Sequence, residues 1–338
     1  MNGIKILGMG RSVPARVVTN DDMARIVDTS DEWISSRTGI RARHHCQGET
    51  HTQLCREAAQ RALERAGVRP EEVGACIVAT VTAQTLVPST ACLLQRDLGL
   101  PEDIPCFDLS AACTGFLFAL HTMECLLNAS ARPFGLVVGC EVLSRFTDFT
   151  DRSTCVLFGD GAGAAVVECR AGWPSIGAQL GCAGNDQLLC IPGARLEEPS
   201  LIAMDGRGVF RFAVETVPRC VEQVLQQRGC TVADVDCFVF HQANARLIHQ
   251  PKGTGRGIHQ ANARITDLAA RKLGIPPEKY YKNIEHYGNT SAASIPLALS
   301  ELQDLGRIGP GSRVVAVGFG GGLTWGGVML EFEKRRPV

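Results

Sequence analysis

Three residues of this chain pair a chemistry-bearing side chain with a position that aims it. Cys113 follows the apolar run Ile104 to Leu109 and opens a second one, Phe116 to Leu120, with Gly115 between. A helix N-terminus favours a thiolate, and its free backbone amides can hold an oxyanion. Cys113 is therefore either a nucleophile or, as for any one of fifteen cysteines, a small buried hydrophobe. His241 ends the apolar run Asp236 to Phe240 and precedes Gln242-Ala243-Asn244, where a strand end aims an imidazole into a cleft. Asn289 lies in a Gly-Asn-Thr-Ser-Ala turn that opens another helix. Read singly, these two are a satisfied strand-end histidine and a helix-capping asparagine. Read together, the three supply one nucleophile and two hydrogen-bond donors.

Other motifs carry weaker signals. The turn Phe319 to Gly326, rich in glycine, either presents a backbone amide to an oxyanion or simply joins two strands. Gly159 to Gly163 and Gly253 to Gly257 lack the dinucleotide fingerprint and a Walker lysine, so neither reads as a phosphate loop of those types. Thr29 and Glu32 have capping-box spacing for a short helix that carries Trp33 and Arg37, four apart, on one face. Such a pair suits stacking on a flat base beside a phosphate, or is a half-buried tryptophan beside a solvated arginine.

The elements that must position these groups alternate. Ala75 to Thr82, Ile104 to Leu109, Gly135 to Val142, Gly163 to Glu168, Cys237 to Phe240, Arg313 to Phe319 and Gly327 to Phe332 read as strands. Thr52 to Ala66, with Thr52 as cap and Gly67 as stop, and Thr90 to Leu98, opened by Ser89, read as helices. Alternation of this kind predicts α/β with strands buried on both faces. The stretch 108–120 resembles 286–299, the strand after each matches, and so do the glycine-rich segments that follow. Two homologous halves, 1–170 with the cysteine and 171–338 with His and Asn, are the expectation.

Composition narrows the function classes. A chain of 338 residues with 45% hydrophobic and 20% charged residues has ample core. Lys plus Arg is 34 against 35 for Asp plus Glu, without the positive excess that nucleic-acid binding draws on. The cysteines are odd in number and form no CxxC pair, which points to a reduced, cytoplasmic setting and no metal site. No apolar run is long enough for a membrane span, and the N-terminus lacks a signal-peptide pattern.

Taken in order, the segments Val27 to Ile34, Arg37 to Arg41, Ala111 to Phe116, Phe158 to Ala164, His241 to Asn244, Gly288 to Ser294 and the glycine turn before Trp325 resemble the β-ketoacyl-acyl carrier protein synthase III family, thiolase-superfamily condensing enzymes. The resemblance spans essentially the whole length. It implies a thiolase-like five-layered αβαβα fold, a homodimer, and acyl transfer from coenzyme A to cysteine followed by condensation with malonyl-acyl carrier protein, initiating type II fatty acid synthesis. No metal or redox cofactor is implied, the CoA thioester being a substrate. Cys113 is then the nucleophile, with its own amide and that of Gly321 as the oxyanion hole, and His241 and Asn289 serve decarboxylation. The same resemblance implies CoA contacts from Trp33, Arg37, Thr38, Arg152, Phe210 and Asn244. It implies carrier-protein contacts from Arg211, Arg246, Gln260 and Arg264. It places Val87, smaller than is usual there, toward the partner's acyl pocket, so a site roomier than acetyl alone requires is expected.

The chain departs from the family at one place. His241-Gln-Ala-Asn-Ala-Arg246 recurs as His259-Gln-Ala-Asn-Ala-Arg264, so eighteen residues are inserted within 241–264. The first copy follows the expected strand and the second precedes the expected helix. We read His241 as the catalytic copy because it hangs directly from a core strand, with His259 as the alternative. A starter-unit synthase of secondary metabolism, or an acyl-CoA-binding relative impaired by the insertion, are the competing functions.

Overall fold

The computed structural model describes residues 1–193, 200–243 and 270–335. Asn244, Arg246, His259, Gln260, Arg264 and the inserted segment between the two motif copies lie outside the described residues.

Two five-stranded sheets are built alike. In the first, Ile4–Ser12, Asp160–Cys169, Phe134–Val142, Val73–Ala79 and Cys106–Leu109 lie in that order, the first two pairings antiparallel and the last two parallel. In the second, Gln179–Asn185, Gly322–Glu331, Arg313–Gly320, Cys237–Phe240 and Tyr280–Tyr281 follow the same sequence of senses. The first sheet draws only on residues 4–169 and the second only on 179–331.

Side-chain alternation along these strands creates the layers. Ile77 and Ala79 face an inner cluster that also takes Val239, Val314 and Ala316 of the other sheet, whereas Cys76 and Val78 face outward. Between the sheets lie the helices Gly115–Leu127 and Ser294–Asp304. Gly115–Leu127 is apolar nearly all round, as a helix covered on both sides must be. His51–Ala66 and Thr90–Leu98 cover the outside of the first sheet, and Gly206–Arg228 the outside of the second. The layers thus run helix, sheet, helix, sheet, helix, the five-layered αβαβα arrangement.

The structure corrects several local readings. The cap of His51–Ala66 is Thr50, whose hydroxyl accepts from the Gln53 amide, not Thr52. The cap of Asp31–Thr38 is Ser30, accepting from the Trp33 amide, not Thr29. In both cases the hydroxyl that caps stands on a residue in extended conformation directly before the first helical residue. Ser30→Ala is accordingly expected to lower stability by about 1 kcal/mol and Thr29→Ala by less, read as a shift in urea midpoint. The strands Ile4–Ser12 and Gln179–Asn185 escape the sequence pattern because glycines and polar residues interrupt them, and both are edge strands.

Each inner helix is entered through a short 3-10 turn, Ala112–Thr114 in one half and Ser291–Ala293 in the other. Ala112 (φ 45°) and Ser291 (φ 47°) are non-glycine residues in the left-handed region, matched in position. That conformation is costly and persists only where surrounding packing enforces it. The two strained turns face each other at the boundary between the sheets.

Candidate active site

Cys113 is held at the first of these turns and is buried. Gly320, at the end of its strand, packs against it so closely that a Cβ there would lie 2.8 Å from Cys113 Cβ and 2.9 Å from its amide nitrogen. Thr114 and Thr324 tie the elbow to the glycine turn: Thr114 Oγ1 lies 2.8 Å from Thr324 Oγ1, and Thr324 Oγ1 is 3.1 Å from the Gly321 carbonyl. Cys113 and Gly321 both line one cavity of about 1270 Å³. Its walls include Phe107, Leu143, Phe146, Leu189, Ile191 and Ile202.

The second turn gathers the other two residues. Ser294 Oγ lies 2.6 Å from His241 Nδ1 and 2.9 Å from the Ser291 carbonyl, so its proton can serve either acceptor. The Asn289 side-chain carbonyl accepts from the Ser291 amide at 2.9 Å, which fixes the amide plane and turns its NH₂ away from the turn. Asn289 is further pinned by backbone bonds to Leu157 and Gly159, the bridge that leads into the strand Asp160–Cys169. Ser291 lines the same cavity as Cys113, and its hydroxyl donates to Glu141 Oε1 at 3.3 Å. The turn Ser291–Ser294 therefore joins His241 to Asn289, and its Ser291 shares a cavity with Cys113, although the three stand far apart in sequence.

Burial sets the protonation of the group. His241 Nε2 is buried with no hydrogen-bond partner among the described residues, and desolvation pushes the imidazole down to about 3. It is neutral in the folded chain. Its folded value lies below the ordinary 6.5, so the unfolded chain takes up a proton that the folded chain refuses. The stabilisation is complete above pH 6.5 and is lost at about 1.4 kcal/mol per pH unit as pH falls toward 3. His241→Gln is expected to flatten the acid limb by that slope, measured in urea titrations above and below pH 6.5. For Cys113, burial pushes the thiol up to about 12, with Glu141 adding to the rise and Ser291 opposing it. The resting thiol is protonated, contrary to the reactivity that a helix N-terminus alone suggests.

Away from this centre, two guanidinium groups stack on the Trp33 ring, Arg37 at 4.5 Å and Arg152 at 4.8 Å from its centroid. Arg152 is tethered to the Asp28 carbonyl at 2.7 Å. Thr38 is turned inward, its hydroxyl bonded to the Ile34 carbonyl at 2.7 Å and accepting from the Ile40 amide. Phe210 is half-buried against the outer core of the second sheet, and Arg211 beside it is exposed. Val87 is 88% exposed and its neighbour Leu86, which lines the cavity, 90%.

Two features were not singled out in the sequence. Glu141, fully buried, is held by Thr82 Oγ1 at 2.5 Å, Thr80 Oγ1 at 3.2 Å and the Val81 amide; its signal is an acidic residue ending a buried strand. His51, Cys55 and Cys140 bring potential metal-ligand atoms within 4.8 Å of one another. His51 Nε2 is engaged by Thr80 Oγ1 at 2.9 Å, which connects this trio to Glu141.

The family model described as 3-oxoacyl-[acyl-carrier-protein (ACP)] synthase III matches residues 107–184, and that described as its C terminal matches 257–332. A relative from Clostridium acetobutylicum, named beta-ketoacyl-[acyl-carrier-protein] synthase III, is 42% identical over 99% of this chain and 100% of its own. The crystal structure of 3-oxoacyl-[acyl-carrier-protein] synthase III from Aquifex aeolicus VF5 is 40% identical, with a TM-score of 0.86 over 98% of this chain and 100% of that one. The priming beta-ketosynthase of the R1128 polyketide pathway is 35% identical, with a TM-score of 0.87 over 99% and 98%.

Proposed function

The chain belongs to the 3-oxoacyl-[acyl-carrier-protein] synthase III family, and from that premise we propose that it is a condensing acyltransferase that joins a short acyl-CoA to malonyl-acyl carrier protein and so initiates fatty acid synthesis. The observation that carries this reading is Cys113 at a strained strand-to-helix elbow, lining an apolar cavity of about 1270 Å³ with Ser291, whose turn holds His241 and Asn289.

In the scheme, the Cys113 sulfur attacks the thioester carbonyl while the amides of Cys113 and Gly321 hold the oxyanion. CoA leaves as its thiol, and the acyl group stays on Cys113. His241 and Asn289 then donate to the malonyl thioester carbonyl. Burial keeps His241 neutral, and a Ser294 hydroxyl donating to Nδ1 leaves the proton on Nε2 for that purpose. Loss of carbon dioxide leaves an enolate whose carbon attacks the acyl-cysteine and frees the cysteine sulfur. Every bond in this sequence balances without a metal or redox cofactor.

The remaining assignments rest on placement. Trp33, Arg37 and Arg152 suit an adenine and its phosphates, and exposed Arg211 suits an acidic carrier protein. Leu86 and Val87, apolar and exposed beside the cavity, suit cover by a second copy of the chain. Among the described residues no helix is long and apolar enough to cross a membrane, in keeping with a cytoplasmic enzyme. The likeness to the R1128 priming synthase supports a second reading with the same chemistry, starter-unit formation in polyketide synthesis.

Intact mass after incubation with acetyl-, isobutyryl- and hexanoyl-CoA tests the reading, beside a Cys113→Ala control. A single acyl adduct per chain that the control lacks is expected, with isobutyryl- or hexanoyl-CoA reacting better than acetyl-CoA. Preference for acetyl-CoA sinks the roomy-pocket expectation, and absence of any adduct in folded protein sinks the function.

A further inference from the structure

Asn289 is joined to the segment leading into the strand Asp160–Cys169 by two backbone bonds: its amide donates to the Leu157 carbonyl at 2.8 Å, and the Gly159 amide donates to its carbonyl at 3.0 Å. A buried cation holds that segment. Arg43, in the short strand Ala42–His44, is fully buried, and its guanidinium donates to the Val156 carbonyl at 2.6 Å, the Val18 carbonyl at 3.3 Å and Asn20 Oδ1 at 2.9 Å. These acceptors are neutral oxygens, and Nε has no hydrogen-bond partner among the described residues. Burial lowers the group to about 10, so it stays charged at neutral pH. A buried charge held by neutral acceptors is a poor source of stability, which points to a role in placement.

The stem of Arg43 acts on the same bridge. A Cβ added at Gly159 would lie 3.2 Å from Arg43 Cβ, and one added at Gly288, directly before Asn289, 3.3 Å from it. His45, two residues on, donates from Nε2 to the Phe158 carbonyl at 3.2 Å. The successive carbonyls of Val156, Leu157 and Phe158 are thus taken by Arg43, Asn289 and His45. Beyond the guanidinium, Asn20 Nδ2 donates to the Ile40 carbonyl at 2.7 Å and to Asp31 Oδ1 at 2.8 Å. Asp31 opens the helix Asp31–Thr38 that carries Trp33 and Arg37, so one polar path runs from that helix to the Asn289 loop.

We propose that Arg43 is a positioning residue for Asn289, setting where its side-chain NH₂ stands for the malonyl thioester carbonyl. The inference rests on the condensing role proposed above. Arg43 fixes the backbone of 156–159, the paired bonds carry that placement to Asn289, and the Ser291 amide then holds the side-chain carbonyl. The Cys113 elbow stands on other supports, Gly320 and the Thr114–Thr324 contact, so acylation does not depend on this path.

Three variants test the assignment. Arg43→Met keeps the stem and removes the donors, Arg43→Lys keeps the charge with fewer donors, and Asn20→Ala frees one end of the guanidinium and leaves the Val156 bond. Intact mass reads acylation of Cys113, and product chromatography reads single-turnover condensation of the acylated chain with malonyl-acyl carrier protein. Hydrogen exchange by mass spectrometry compares segments 157–159 and 286–291 with the elbow segment 110–116. In Arg43→Met, condensation is expected to fall about 10²-fold with acylation little changed. Exchange is expected to quicken at the first two segments and not at the elbow. Arg43→Lys should recover part of the condensation rate, and Asn20→Ala should show the same split in smaller measure. Wild-type condensation in folded Arg43→Met, or equal loss of both half-reactions, overturns the proposal, because a merely structural residue lowers the two together. Where Arg43→Met does not fold, the other two variants decide by the same split. A wild-type chain that neither acylates nor condenses overturns the function instead, and hydrogen exchange then decides: quicker exchange at 286–291 in the variants upholds the placement by Arg43, and unchanged exchange overturns it.

Discussion

His241→Ala is expected to leave the acylation of Cys113 intact while lowering condensation with malonyl-acyl carrier protein roughly 10²–10³-fold, and Asn289→Ala to do the same. The reason is a division of labour between two turns. In the proposed scheme acylation draws on the elbow Ala112–Thr114 and the glycine turn beside it, which Thr114 and Thr324 tie together and which His241 touches only through the edge-on packing of its ring on Phe319 at 5.3 Å. In the proposed scheme decarboxylation uses two neutral donors aimed at one carbonyl oxygen, and the turn Ser291–Ser294 holds both side chains by their far ends, Ser294 at Nδ1 of His241 and the Ser291 amide at the side-chain carbonyl of Asn289. Removing either donor leaves the other unable to hold the enolate alone. Intact mass reads the first half-reaction and chromatography of the β-ketoacyl product reads the second. The same pair of assays decides between the two copies of the histidine motif. Full condensation by His241→Ala with loss in His259→Ala would transfer the role to the second copy.

Much of this centre is legible in the sequence because its local rules are strict. Apolar runs of strand length separated by helical stripes leave little besides a layered α/β fold, and Ser89 and Gly99 bracket Thr90–Leu98 by cap chemistry alone. Cys113, His241 and Asn289 each stand at a strand or turn end, where side chains reach into clefts. What the sequence hides is whatever depends on a neighbour remote in the chain. Ile4–Ser12 lacks a clean pattern, yet it forms a strand because Asp160–Cys169 lies alongside and supplies its hydrogen bonds. Glu141 looks like a charge ending a strand until the fold places Thr80, Thr82 and Ser291 around it, respectively 61, 59 and 150 residues away. The reactivity of Cys113 is hidden for the same reason: the helix start that favours its thiolate can be read locally, but the burial that opposes it comes from the other half.

Gly320→Ala puts that dependence between halves to the sharpest test, and it is expected to abolish most acyl transfer. The added methyl would stand 2.8 Å from Cys113 Cβ and 2.9 Å from the Cys113 amide nitrogen, distances that packed atoms do not tolerate. The contact is with backbone as well as side chain, so no rotamer change relieves it. Either the strand Arg313–Gly320 or the elbow has to shift. The elbow is already held in left-handed conformation at Ala112, so it has little freedom to give. Displacing a nucleophile and its oxyanion amide by about 1 Å costs about 10²-fold in rate, and overpacking costs about 1–3 kcal/mol in stability. Gly321→Ala is the matched control. A Cβ there meets nothing nearer than Leu189 Cγ at 3.4 Å, an ordinary contact, and the amide is retained. Acyl transfer should therefore survive Gly321→Ala and fail in Gly320→Ala, both followed by intact mass with urea midpoints alongside. Equal activity in the two variants would show that the second sheet does not hold the nucleophile in place. The reverse order would mean that the oxyanion site, rather than the position of the cysteine, is what the glycine turn protects.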